Sequence, residues 1–163
     1  MSSTETYMDA LSKAASESLG TPVSLKPTSG GGYSGGGGAS TSAVMDEKGN
    51  KYFVKAASGG LDMLKAEYLG VKAMSDTNTI RVPTPICYGD FQNRAFAVFE
   101  YLEFGGAGSQ FELGQQLAKM HRHTSDKGFG FTVDNTIGAT PQPNLPWMDN
   151  WADFWEKNRL DHM

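Results

Sequence analysis

Cysteine is nearly absent. Cys87 is the only one in 163 residues, so no disulfide can close within the chain, a stapled secreted scaffold is excluded and a reducing compartment is expected. Basic clusters are missing too. Fourteen Lys and Arg stand against 18 Asp and Glu, a formal charge of -4, which argues against nucleic acid or an anionic membrane surface as partner. No apolar run is long enough to span a bilayer. The opening MSSTETYMDALSKAAS has neither the basic start nor the apolar stretch of a secretory signal, so the expected location is cytoplasmic. The 39% hydrophobic and 20% charged residues are those of a globular chain rather than a disordered one.

Glycine is abundant and unevenly placed. Before it, Leu11, Ala15 and Leu19 recur at helical spacing and Gly20 closes the helix. Residues 23–26 alternate apolar and polar as a strand would. Residues 28–42, TSGGGYSGGGGASTS, then hold seven glycines. Such a tract is usually a flexible linker, but residues 43–45, a turn around Lys48-Gly49-Asn50, and residues 52–56 read as a hairpin directly after it. Leu61, Leu64, Tyr68, Val71 and Met74 mark one helical face, broken off by VPTP at residues 82–85. Residues 86–91 and 95–101 form a second hairpin, with Phe96, Val98 and Phe99 making the later strand apolar enough to be buried on both faces. After Gly105, Gly106 and Gly108, Ser109-Gln110-Phe111-Glu112 is a capping-box pattern. The helix that follows carries Leu113, Leu117, Met120 and His121 on one face, which would turn His121 inward. The chain then reads as irregular until Asp149 or Asn150 caps a last helix with Trp151, Phe154 and Trp155 on one side.

Several of these residues can do chemistry. Gly30, Gly31 and Gly32 lie between two strands, where unobstructed amides can donate to triphosphate oxygens. The tract does not match GxxxxGK[ST], so the P-loop NTPase reading fails and a kinase-type glycine flap is favoured. YFVK ends an apolar strand in Lys55, as in the kinase strand whose ammonium holds the α- and β-phosphates; taken alone, a lysine there is more often solvated. Glu67 lies on the flank of the next helix's apolar stripe, where an inward carboxylate needs a cation. The strand ending FEYLEF leads into glycines as a kinase hinge does, and the backbone at Glu100, Tyr101 and Leu102 would then bind adenine. His121 and His123, two apart on a helix, face different directions, and no metal site is expected through them. Asp134 and Asn135 are turn residues first.

Together YFVK, KGFGF..DNTIG.TPQPN and DNWADFW...RL resemble the fructosamine kinases (ketosamine-3-kinases), over roughly residues 25–160. The resemblance implies an α+β, protein-kinase-like fold: a five-stranded antiparallel N-lobe with one main helix, followed by a truncated helical C-lobe. It divides the chain into an N-terminal helix (1–20), the N-lobe (21–102) and the start of the C-lobe (103–163). ATP and Mg2+ are the implied cofactors. The implied reaction phosphorylates the 3-hydroxyl of protein-bound ribulosamine or fructosamine, which leads to deglycation and protein repair. Asp134 and Asn135 become a candidate wall of the substrate cleft.

Two departures stand out. Tyr33 occupies a place where many relatives of this family carry a cysteine, so control through a loop thiol is not expected. The family's His-Gly-Asp and Asp-Pro-Ala motifs, which supply the base and the magnesium ligands, do not occur in this sequence; no catalytic residue and no metal ligand is therefore assigned. The alternative is a truncated, non-catalytic module that binds nucleotide or a partner, with a missing C-lobe or that partner covering Trp151, Phe154 and Trp155. A choline or aminoglycoside kinase of the same fold would share Lys55, Glu67 and the hinge but not DNTIG.TPQ, and ranks well below the fructosamine kinase reading.

Overall fold

The computed structural model describes residues 5–28, 33–34, 38–106, 108–138 and 140–161. Gly30, Gly31 and Gly32 lie outside the described residues. Two compact units are present, Met1–Asp76 with Arg81–Ala107, and Thr77–Ile80 with Gly108–Met163.

The first unit is an antiparallel sheet with one helix on each face. Helix α1 (Tyr7–Leu19) starts at a capping box that the sequence reading missed: Thr6 Oγ1 accepts from the amide of Asp9, and the Asp9 carboxylate accepts from the amide of Thr6. These reciprocal bonds satisfy donors that the first turn leaves orphaned. Gly20, at φ 67°, ends the helix as expected. Strand β1 is only Lys26–Pro27, shorter than the expected strand over residues 23–26. The cause is α1 itself, because the amides of Val23 and Leu25 are taken by the hydroxyls of Ser16 and Ser12 at 2.8 and 2.9 Å.

The remaining elements of this unit are β2 (Tyr33–Ser34), β3 (Ser40–Met45), β4 (Lys51–Ser58), helix α2 (Leu61–Asp76), β5 (Pro85–Phe91) and β6 (Arg94–Glu100). The strand order is β1-β3-β4-β6-β5, with β2 also paired to β3. Both expected hairpins form. In the first, Asp46 accepts from the amides of Lys48 and Asn50 at 2.9 and 2.8 Å. In the second, Gln92 and Asn93 both take positive φ (52° and 65°), which matches a two-residue turn to the twist of its strands.

Alternation along the strands sorts the core into two layers. Val44, Val54, Phe96 and Val98 pack with Leu11 and Ala15 of α1. Ala57, Ala95, Ala97 and Phe99 pack with Leu64 of α2, flanked by Phe53, Tyr68 and Val71. Residues 95–99 of β6 are all buried, as expected for a strand covered on both sides.

The second unit holds helix α3 (Gln110–Met120), the hairpin β7 (Asn135–Ile137) and β8 (Thr140–Gln142), and helix α4 (Trp151–Trp155), which continues as a π-helical turn, Glu156–Leu160. Ser109 caps α3 by accepting from the amide of Glu112 at 3.2 Å. His121 is exposed and serves as the C-cap, its amide donating to Leu117 O. The inward histidine expected from spacing is thus corrected, because α3 buries none of its side chains. The stretch before α4 is better ordered than expected. Phe129 and Met148 exchange main-chain bonds at 2.7 and 2.9 Å, an approach so close that a Cβ on Gly128 (φ 88°) would collide with the Met148 carbonyl. Phe154 is 4% exposed, so it belongs to this unit's interior rather than to the apolar surface expected of it; Trp151 and Trp155 are exposed.

Candidate nucleotide site

Alternation on β4 places Lys51, Phe53 and Lys55 on the sheet face that carries α2. Across the ladder Lys55 lies opposite Thr41 of β3 and Ala97 of β6, and Phe53 lies opposite Ala43 and Phe99. The short Ala97 leaves the lysine unobstructed. One turn above, α2 lowers Glu67 onto it, and Lys55 Nζ donates to both carboxylate oxygens at 2.7 and 2.6 Å. The two side chains are 24% and 35% exposed, so the pair is partly withdrawn from water. Sequence reasoning brought these two residues together without coordinates.

Beside the pair opens a cleft of about 710 Å³, within the size range of small-molecule sites. Phe53, Val71 and Phe99 give it apolar walls, Glu67 contributes its polar side, and Glu100, Tyr101 and Leu102 form one edge. All three expected hinge residues therefore line the same cavity as Glu67. The strand inside the glycine tract is aligned with the lysine, since Tyr33 pairs with Thr41 and Thr41 with Lys55. Two strand spacings, about 10 Å, separate Tyr33 from Lys55 along that row.

The edge of the cleft is more elaborate than expected. The Glu100 carboxylate pairs with Arg81 Nη2 and accepts from the amide and hydroxyl of Thr84 at 3.0 and 2.9 Å. The Arg81 hydrogen bond, aided by those from Thr84, holds this carboxyl at about 2, well below the usual range. Lys51 reaches Glu103 at 2.9 Å and stands over the Tyr101 ring, 5.5 Å from its centroid. The Glu103 hydrogen bond raises the Lys51 pKa, and Lys51 lowers that of Glu103. Sequence reasoning missed Lys51, Phe53, Arg81 and Thr84 as parts of the site. For Lys51 and Phe53 the period-two spacing to Lys55 was the available signal; for Arg81 and Thr84 there was none, because their partner is 16 to 19 residues away.

Asp134 and Asn135 lie in the second unit, and their oxygens are engaged locally. Asp134 Oδ1 accepts from the amides of Asn144 and Leu145 at 2.7 and 3.2 Å, and Asn135 Oδ1 accepts from the amide of Thr136. Arg159 ties the same turn down through Pro143 O and Asn144 Oδ1 at 2.6 and 2.7 Å. Among the described residues no three His, Cys, Asp or Glu side chains converge as metal ligands would. No described helix is long and apolar enough to cross a membrane.

A lysine clamped by a helix glutamate, beside a cleft edged by the strand end that leaves the sheet, defines a protein-kinase-like N-terminal lobe. The family model for fructosamine kinase matches residues 8–163, and the chain belongs to that family. It is 49% identical over 115 residues to a Synechocystis protein named "Probable ketoamine kinase", covering 69% of this chain and 39% of that protein. It is 48% identical over 115 residues to the chloroplastic protein-ribulosamine 3-kinase of rice (Oryza sativa subsp. japonica), covering 68% and 33%. A solved Haemophilus somnus structure, named "Putative fructosamine-3-kinase", superposes with a TM-score of 0.75 at 25% identity, covering 91% of this chain and 50% of that one. The chain thus spans about a third to two fifths of these curated relatives and half of the solved structure.

Proposed function

We propose that the chain carries the nucleotide-binding part of an ATP-dependent ketoamine 3-kinase, acting on protein-bound ribulosamine or fructosamine and thereby initiating deglycation and repair. The observation that carries this reading is the Lys55–Glu67 contact beside the cleft. An ammonium fixed by a carboxylate keeps its position and can meet phosphate oxygens without reorganising. Phe53, Val71 and Phe99 offer flat apolar contact to a base, while the backbone of residues 100–102 offers donors and acceptors to its edge. Bound magnesium would neutralise phosphoryl charge.

In the transfer, the 3-hydroxyl oxygen of the ketoamine forms a bond to the γ-phosphorus as the bond to the β–γ bridging oxygen breaks, and ADP departs. The hydroxyl proton goes to a base to which no residue of this chain is assigned. The lone buried Cys87 supports a reducing, cytoplasmic setting, although the rice relative is named chloroplastic.

A second reading is a nucleotide- or partner-binding module without turnover, whose partner would cover the exposed Trp151 and Trp155. Two measurements test both: calorimetric titration of the chain with ATP, and phosphate transfer by a version with a complete C-terminal lobe to ribulosamine-modified lysine, with choline as the competing acceptor. Binding with ketoamine turnover supports the kinase. Binding without turnover supports the module, turnover on choline alone would move the chain to another kinase class, and no binding would defeat both readings.

A further inference from the structure

The strongest feature outside the phosphate end of the cleft is the convergence on Glu100. Both of its carboxylate oxygens are engaged, one by Arg81 Nη2 and the other by the amide and hydroxyl of Thr84. Its own amide donates to Thr84 O at 2.8 Å, and the other guanidinium nitrogen of Arg81 donates to Val82 O. An isolated ion pair at this exposure contributes little to stability. Its consequence is geometric, because a residue held through its main chain and both carboxylate oxygens has little torsional freedom left. Glu100 is also the last residue of β6 and the first of residues 100–102 at the cleft edge. With three donors on its carboxylate and its amide given to Thr84 O, Glu100 presents its main-chain carbonyl as the backbone group left for a ligand.

We propose that Arg81 and Thr84 are positioning residues which, through Glu100, fix the main chain of residues 100–102 so that the cleft discriminates adenine from guanine nucleotides. This rests on the nucleotide reading of the cleft. Adenine presents a donor at N6 beside an acceptor at N1, and guanine presents the reverse, an acceptor at O6 beside a donor at N1. A rigid backbone edge, offering one acceptor and one donor in fixed order, matches only one of these patterns. An edge free to rotate can rearrange to suit either. Affinity for the phosphates is set at Lys55, on a different strand, and is independent of the clamp.

Calorimetric affinities of the whole chain for ATP, GTP and tripolyphosphate test this, using wild type, Arg81→Met, Thr84→Val and Arg81→Lys, with thermal melts confirming that each variant is folded. The wild type is expected to favour ATP. Arg81→Met and Thr84→Val should each lower the ATP-to-GTP affinity ratio about tenfold, the loss of one hydrogen bond of ordinary net strength, with tripolyphosphate unchanged within about twofold. Arg81→Lys, which keeps the charge on Glu100, should restore part of the ratio. Equal losses for all three ligands would reduce the clamp to a structural role and overturn the proposal, as would an unchanged ratio. Binding of neither nucleotide by wild type would overturn the cleft reading and this proposal with it.

Discussion

Replacing Lys55 with Met keeps the length of the side chain and removes the ammonium that both Glu67 oxygens accept from at 2.6 to 2.7 Å. At 2.6 Å two unit charges attract by about 1.6 kcal/mol in water and by about 6 kcal/mol at an effective dielectric of 20. Desolvation and side-chain ordering oppose most of the larger figure. At 24% and 35% exposure the pair lies between a surface bridge, worth about 0 to 1 kcal/mol, and a buried one, whose breaking costs about 3 to 5 kcal/mol. Lys55→Met should therefore destabilise the fold by about 1 to 2 kcal/mol. Glu67→Gln should cost somewhat less, because the amide still accepts one bond. Urea denaturation of both single variants and the double variant gives the coupling directly, expected near 1 kcal/mol. In nucleotide binding the same lysine should contribute more, since a hydrogen bond to a charged group is worth about 1.5 to 3 kcal/mol, a loss of roughly 10- to 150-fold in ATP affinity. A coupling below about 0.3 kcal/mol together with wild-type ATP affinity in Lys55→Met would refute the reasoning, because the contact would then neither hold the lysine nor meet phosphate.

The Tyr7 hydroxyl is buried without a hydrogen-bond partner among the described residues, while its ring packs edge-on against Phe96 at 5.9 Å. Tyr7→Phe should thus stabilise the protein by about 1 kcal/mol in urea denaturation, and a loss of stability would show that the hydroxyl has a partner in solution. Burial pushes the Cys87 thiol up to about 12, so a thiolate-selective reagent at pH 8 should label it only after denaturant is added; rapid labelling of the folded chain would contradict the packing. The Glu100 carboxyl is lowered to about 2 from 4.5, so its contribution is full above about pH 4.5 and is lost as pH falls toward 2. Glu100→Gln should flatten stability against pH in that acid window and leave the slope at pH 6 to 8 unchanged; an altered slope near neutrality would contradict the assignment. Leu64, 0% exposed beneath α2, should cost about 2 to 5 kcal/mol when replaced by Ala, read as a lower midpoint of thermal unfolding.

The sequence alone determined the elements whose periodicity is strong. Period two gave both hairpins, a spacing of three and four gave α2, and the chain distance from YFVK to Glu67 left the strand lysine and the helix glutamate one connection apart. Those two residues meet because a helix that follows a strand through a short link packs back on the same sheet face, which is a local consequence of chain connectivity. Interactions with no local signature were decided by the tertiary structure. Residues 23–26 read as a strand, yet the amides of Val23 and Leu25 are claimed by serine hydroxyls from α1. Glu100 read as a backbone position with an idle side chain, whereas Arg81 and Thr84 converge on it from the other side of a strand pairing. His121 read as inward because its helix has an apolar stripe, but a stripe says only which side would be covered. Whether a side chain is buried depends on what packs over it, and among the described residues none covers the stripe of α3.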